Sequence, residues 1–443
     1  MSTFTRSTVK PLKIANMNTR HRTLWALAVF VTAAMVLIQC ALPTQAADWK
    51  GKETTKDGIR CLVSPREPME PRITSELEEL WRIGGDTDDE DEFFGVILQI
   101  LTDDHGNVYL LDSQLNQVKV FSPDGEYVRE FGREGEGPGE FRFASDMFFT
   151  ADGNIGVLQA APGKIILFTP EGEPAGEHPI PTREDGGMVI LSNGSYRAGN
   201  LVLLAMAQAF SENRYERTDY LVSVDPEGGE KARYHSRSRV LDTANPVLSE
   251  GEWTPFSGRW AIGADGRVYV CTSRDDYTIK TWNRDGTPDR IIEREYTHRK
   301  RTAEQKKVID DLFGVFANMI PNGTFETSDY DGDIAAIYVR EDGSLWVLTS
   351  DGTRDLPDGS LGVFDIFDQE GRLLRQVALN GDGDPETDGY YFSGDRMYVV
   401  TDWLQALISL QSGEQSFQVG DEEPEPMSVI CYQLAADVQT SQK

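Results

Sequence analysis

The sequence predicts an all-β chain folded as a six-bladed propeller, on three observations. A turn dipeptide leads six times into an alternating β-run. A second turn follows in five of the six. The two ends of the chain hold complementary parts of one blade. The first turns are His105-Gly106, Asp152-Gly153, Asn193-Gly194, Asp265-Gly266, Asp342-Gly343 and Ser393-Gly394. The second turns are Asp124-Gly125, Glu171-Gly172, Gly228-Gly229, Asp285-Gly286 and Glu370-Gly371. Turn residues of this kind between period-2 runs mark hairpins, and self-similarity on this scale marks a repeat architecture.

From the N-terminus, residues 1–46 read as an export signal. Arg20, His21 and Arg22 are a basic start, Leu24 to Ile38 is an apolar run, and Thr44-Gln45-Ala46 places small residues before a cleavage point. A lipoprotein anchored through Cys40 is an open alternative, although Gln39 stands where such a motif has Gly, Ala or Ser. An uncleaved apolar anchor is another, short as the run is for a spanning helix. Residues 47–75 form a lead-in segment, 76–435 the propeller and 436–443 a tail. The chain carries 43 Lys or Arg against 73 Asp or Glu, a net charge of −30. This charge disfavours nucleic acid and anionic membrane surfaces as partners. Outside the leader there are three cysteines. Cys271 sits in an alternating strand as a buried thiol, while Cys61 and Cys431 are a candidate disulfide between the chain ends.

Blade 1 shows the unit: strand a over 96–102, b over 107–112, c over 117–122 and d over 126–131. Gly106 to Gly125 spans 19 residues, and Gly153 to Gly172 again 19. Blades 3 and 5 are longer between these points, through their b–c loops. Blade 6 has no second turn. Its c strand is placed at 428–434 and its d strand at 78–84, so the N-terminal strand completes the last blade and removes the open edge.

Gly135-Glu136-Gly137-Pro138-Gly139-Glu140-Phe141 followed by Asp152-Gly153-Asn154-Ile155 resembles the linker and strand opening of NHL-type six-bladed propellers. Leu111-Asp112 with Asn116, Val118 and Phe121 is similar to the same repeat, and the likeness is strongest over 103–153. In blade 2, Gln159 replaces the Asp. The resemblance implies the fold; that family is mixed in function, so it implies no activity.

In a four-stranded meander the a–b and c–d turns share one face, here uniformly tight. The b–c and d–a connections share the other, which holds every long segment: 132–144, 207–217, 236–257, 297–332, 351–360 and 403–427. Variable loops on a rigid scaffold are where binding residues gather. The candidate contacts are the residues leaving the b strands: Asp112, Gln159, Ser273, Arg274, Asp351 and Trp403. The insertion 297–332, between blades 4 and 5, carries a helix. Thr302 and Gln305 have capping-box spacing, Ile309, Leu312, Phe313, Phe316 and Ile320 form a stripe, and Pro321 and Gly323 stop it. Its basic start, Arg299 to Lys307, is expected to meet acidic runs at 86–92, 382–388 or 421–425. Asp329, Asp331 and Asp333 alternate as calcium ligands do, without the remainder of a helix-loop-helix site. No cofactor is expected otherwise. The reading is a monomeric, exported, non-catalytic module that binds an extracytoplasmic protein or glycan on its long-loop face. The alternative is a metal-dependent hydrolase or lyase at the mouth of the central channel.

Overall fold

A computed structural model describes residues 48–181, 187–253, 258–318, 323–412, 426–436 and 438; side chains at 311–318 and at 411 and 412 are not described. The leader, Cys40 and the acidic run 421–425 lie outside the described residues. Six sheets form the blades of a propeller, each built on a meander whose first strand faces the axis. The a strands of blades 1 to 5 adjoin one another in order, and that of blade 6 adjoins that of blade 1.

The ring closes as the sequence predicts. Strand Glu78–Gly84 pairs antiparallel with Ser428–Gln433, supplying strand d of blade 6. The lead-in segment has more structure than expected. Strands β1 (Lys52–Lys56) and β2 (Ile59–Ser64) extend blade 4 to six strands, β2 lying parallel to Pro288–Arg294. Strand β3 (Ile73–Glu76) adds a fifth strand to blade 5, and β4 (Glu78–Gly84) follows into blade 6. The N-terminal segment therefore runs along the outer edges of blades 4 and 5 before locking blade 6, and its backbone pairs with edges that would otherwise stay open.

The core divides into clusters at the junctions between blades. The cluster between blades 6 and 1 contains 13 buried residues, among them Ile83, Ile97, Phe121 and Tyr398.

The glycines of the second turns have a packing reason. Each takes a positive φ, from 85° to 93° at Gly125, Gly172, Gly228, Gly286 and Gly371. Each also abuts the preceding blade: a Cβ at Gly125 would stand 2.9 Å from the Trp81 ring, and one at Gly172 2.8 Å from Phe131. Only glycine fits both demands.

Two expectations in blade 3 are corrected. Asn193-Gly194 is no turn; it lies inside strand a (Val189–Arg197), and the turn is at Ala198-Gly199, with φ of 50° and 71°. Two consecutive left-handed residues suit the twist of a hairpin. Residues 207–217 are no loop either. They continue strands Asn200–Ser211 and Arg214–Val224 as a tight hairpin turning at Asn213, φ 60°.

The expected disulfide is also corrected. Cys61 is in β2 on blade 4 and Cys431 in strand c of blade 6, with blade 5 between, and both are free and fully buried. Burial pushes the Cys431 thiol up to about 11 and that of Cys271 to about 12, which leaves both poor nucleophiles.

Helix α1 is the short Glu250–Trp253, α2 is Ala303–Asn318 in the insertion, and α3 is Trp403–Ser412 after strand b of blade 6. The capping box of α2 is present: Thr302 N donates to Gln305 Oε1 at 3.0 Å, and Gln305 N to Thr302 Oγ1 at 3.2 Å. Of the expected stripe only the Ile309 side chain is described, and it is half-buried.

Trp81 on β4 tests the closure. It is 9% exposed, its Nε1 donates to Pro123 O at 3.0 Å, and its ring lies against Gly125 and Tyr398. Trp81→Ala is expected to cost about 3–5 kcal/mol in urea unfolding. A cost below about 1 kcal/mol would show that β4 does not hold the ring.

Candidate functional site

The long-loop face opens into the channel through a repeated backbone device. Strand a of blades 1, 2, 3 and 5 shifts register at the same place, so that one residue is left without a cross-strand partner: Leu98, Ser145, Ser192 and Ala335. The first three are spaced by 47 residues each. Such bulges re-aim side chains and commonly sit beside sites. Here all four bulged residues line a single cavity of about 880 Å³. Arg259 from blade 4 and Trp403, at the start of α3 in blade 6, complete the circle.

Directly after the bulges come Gln99, Asp146 and Asn193, at the same spacing of 47. Asp146 joins three blades. Its carboxylate accepts from Gln99 Nε2 at 2.7 Å, Met147 N at 2.8 Å, Gly194 N at 2.9 Å and Asn193 Nδ2 at 3.3 Å. It is 4% exposed, and burial outweighs these donors, pushing its carboxyl up to about 6.

The cavity has two unlike walls. One is apolar, from Phe143, Trp403, Leu407 and Leu410. The other is a network of arginines and acids from blades 3 to 5. Glu250 accepts from Arg274 Nη2 at 2.7 Å, from Arg301 Nη1 at 2.7 Å and from Ser328 N at 2.9 Å. Arg301 Nε donates to Asp331 at 2.7 Å. Arg299 and Arg354 stand 3.6 and 3.8 Å from the other Asp331 oxygen, and Arg354 pairs with Glu386. Burial opposes ionisation of Glu250, but Arg301 and Arg274 hold its carboxyl below the ordinary value. Arg259, 5% exposed, reaches Ser273 O at 3.4 Å. Burial, with the Arg274 guanidinium adding to it, pushes Arg259 below the usual arginine value.

The b-strand residues divide between scaffold and site. Asp112 is fully buried and holds the loop backbone, accepting from Gly95 N, Val96 N and Leu115 N at 2.6, 3.2 and 2.9 Å. Gln159 does the same in blade 2: its Oε1 accepts from Arg142 N at 3.0 Å, 17 residues back as Gly95 is from Asp112, and its Nε2 donates to Pro162 O at 3.0 Å. Ser273 accepts from Asp275 N at 3.3 Å. Asp351 is exposed, outside the channel mouth in a smaller cavity of about 220 Å³. Arg274 and Trp403 line the main cavity, on opposite walls. Asp329, Asp331 and Asp333 do not converge. Asp329 pairs with Lys306 at 2.6 Å, Asp331 with Arg301, and Asp333 with His298 at 2.9 Å. Among the described residues no group of three His, Cys, Asp or Glu gathers to hold a metal. Among the described residues the basic start of the insertion meets Glu250, Asp329, Asp331 and Asp355; the expected run 421–425 lies outside them.

Sequence reasoning missed Asp146, Glu250, Arg259 and Arg354. The 47-residue recurrence of Gln99, Asp146 and Asn193 was a signal for the first. The others are scattered charges with no spacing to mark them.

The sheets and the cavity at their axis define a six-bladed β-propeller with a polar and apolar channel mouth. Residues 83–243 match the family model DUF5128, described as a 6-bladed beta-propeller; the match does not single out the NHL-type repeat. No curated protein matches the sequence. Among solved structures the chain is similar to a protein of Bacteroides fragilis described as exported, with 14% identity, 82% of this chain and 98% of that chain covered, and a TM-score of 0.47. It is also similar to a DUF4221 family member from Bacteroides vulgatus, at 10% identity, 81% and 97% coverage and TM-score 0.43. Virginiamycin B lyase from Staphylococcus aureus gives 12% identity, 73% and 81% coverage and TM-score 0.35. These likenesses carry nothing about ligand or reaction.

Asp146 yields a pH prediction. Its folded carboxyl titrates near 6, above the ordinary 3.8, so its contribution to stability is full below about 3.8 and is lost as pH rises through 6. The stability advantage of the native protein over Asp146→Asn is expected to shrink by about 2–3 kcal/mol between roughly pH 4 and pH 7. Urea unfolding of both at each pH measures it; a constant difference would refute the shift.

Proposed function

We propose that the protein is a non-catalytic binding propeller outside the cytoplasm, which seats its ligand at the channel mouth on the long-loop face. The observation that carries this reading is the cavity of about 880 Å³, to which every blade contributes. Its size falls in the usual range of ligand sites, roughly 300–1,000 Å³, and its lining mixes apolar surface with a few fixed polar groups. A small molecule fits it, as does a slim segment of a protein or glycan. The export part of the reading rests on the leader pattern in residues 20–46. The competing hydrolase or lyase would need several carboxylate or imidazole donors around one point at this mouth. The acids there, Glu250 and Asp331, are each engaged by arginines.

The mature protein, incubated with a cell extract, repurified and analysed by mass spectrometry, is expected to retain a specific compound or fragment. Ser192→Trp, which fills the mouth from a bulge, is expected to abolish retention while leaving the unfolding curve within about 1 kcal/mol. Retention unchanged in a folded Ser192→Trp would place binding elsewhere.

A further inference from the structure

The charges at the channel mouth are already matched to one another. Arg274 pairs with Glu250 at 2.7 Å and with Asp275, Arg301 with Glu250 and Asp331 at 2.7 Å each, and Arg354 with Glu386. Arg259 donates to Ser273 O at 3.4 Å. Hydroxyls of the lining are engaged as well: Ser113 Oγ donates to Ala144 O at 2.7 Å and Ser145 Oγ to Leu191 O at 3.0 Å. The apolar side differs. Trp403 and Leu407 are half-buried, Leu410 is 37% exposed and Phe143 69%. From this contrast, and resting on the reading that the channel mouth is the binding site, we propose that the ligand is a small uncharged molecule with a mainly apolar body, held by Phe143, Trp403, Leu407 and Leu410.

An ionic ligand gains little here. To reach an arginine or an acid of the network it must displace a partner from a formed pair, and the buried charge so released is costly. An uncharged apolar body meets no such cost, because it replaces water on exposed hydrocarbon and ring surface. The backbone singles out Phe143 on that surface. Its φ is 52°, in the left-handed region, where a bulky residue is strained. Val96 is its counterpart in blade 1: Ser113 N donates to Val96 O and Ala160 N to Phe143 O, each at 2.9 Å and each across 17 residues. Val96 is 1% exposed, whereas the left-handed Phe143 is 69% exposed and lines the cavity. Strained conformations of this kind gather at ligand sites, and this one brings a ring of blade 2 out to the mouth. The cavity, about 880 Å³, has room for a body of several rings.

A matched pair of probes tests the class of ligand. Neutral N-phenyl-1-naphthylamine and 8-anilinonaphthalene-1-sulfonate share their rings and differ in the sulfonate. The neutral probe is expected to bind the mature protein at least about tenfold more tightly, the effect of bringing one charge into the site without a partner. Phe143→Gly removes the ring at a position whose φ suits glycine, so the fold is expected to hold, and the neutral probe is expected to bind about tenfold more weakly. Leu410→Ala, at an exposed position of α3, is expected to weaken it severalfold. Ser192→Trp is expected to lose it altogether. The compound that the protein retains from a cell extract is expected to be uncharged at neutral pH. Equal or tighter binding of the sulfonate, lost in Ser192→Trp, would overturn the uncharged ligand and leave the binding site standing. A retained ion whose retention Ser192→Trp abolishes would do the same. Neutral-probe affinity unchanged in both Phe143→Gly and Leu410→Ala would overturn the apolar grip. Binding of the neutral probe indifferent to Ser192→Trp would overturn the site itself.

Discussion

The structure depends on the junction where the two ends of the chain meet. A propeller is a circular stack, and each blade buries its faces only against neighbours. Blade 6 has three strands from the C-terminal region and takes its fourth, β4, from the N-terminal region. Without that strand the interface between blades 6 and 1 would lose Trp81 and Ile83, and a paired edge would become an open one. Because β1, β2 and β3 precede β4 along blades 4 and 5, the same segment holds half the circumference from outside. Closure is thus distributed over some thirty residues rather than one strand.

A rigid ring makes the channel mouth possible. Bulges in four of the a strands turn one residue each toward the axis, and the strand immediately below is fixed by Asp146 across three blades. Above them, Glu250, Arg274, Arg301 and Asp331 tie α1, blade 4 and both ends of the insertion together. A buried ionic network of this kind contributes little net stability against a packed apolar alternative, yet losing one partner is severe because it strands the rest. Its consequence here is geometric: the arginine side chains at the channel mouth are held in fixed positions by their acid partners.

Much of the ring was legible in the sequence because turns and period-2 runs are local. The glycine of each second turn must take a positive φ and sit under the preceding blade, so the dipeptides recur and the blades can be counted. The β4 partnership was legible too, since an unpaired half-blade at one end demanded its complement. Blade 3 misled because Asn193-Gly194 has turn composition but serves a bulge, its Gly194 N–H given to Asp146. The residues leaving the b strands were correctly placed at one end of the blades. Asp112 and Gln159, however, are consumed by loop backbone, whereas Arg274 and Trp403 reach the cavity.

The sequence by itself determined the blade count, the closing strand, the tight and elaborated faces and the capped helix of the insertion. Each follows from φ preference, alternation or capping chemistry within a few residues. Only the tertiary structure decided which charges meet. Glu250, Arg274, Arg301 and Asp331 are separated by up to 81 positions in the chain, and electrostatic pairing depends on distance in space, which no local pattern encodes. The same holds for the free thiols of Cys61 and Cys431, whose separation is set by an intervening blade.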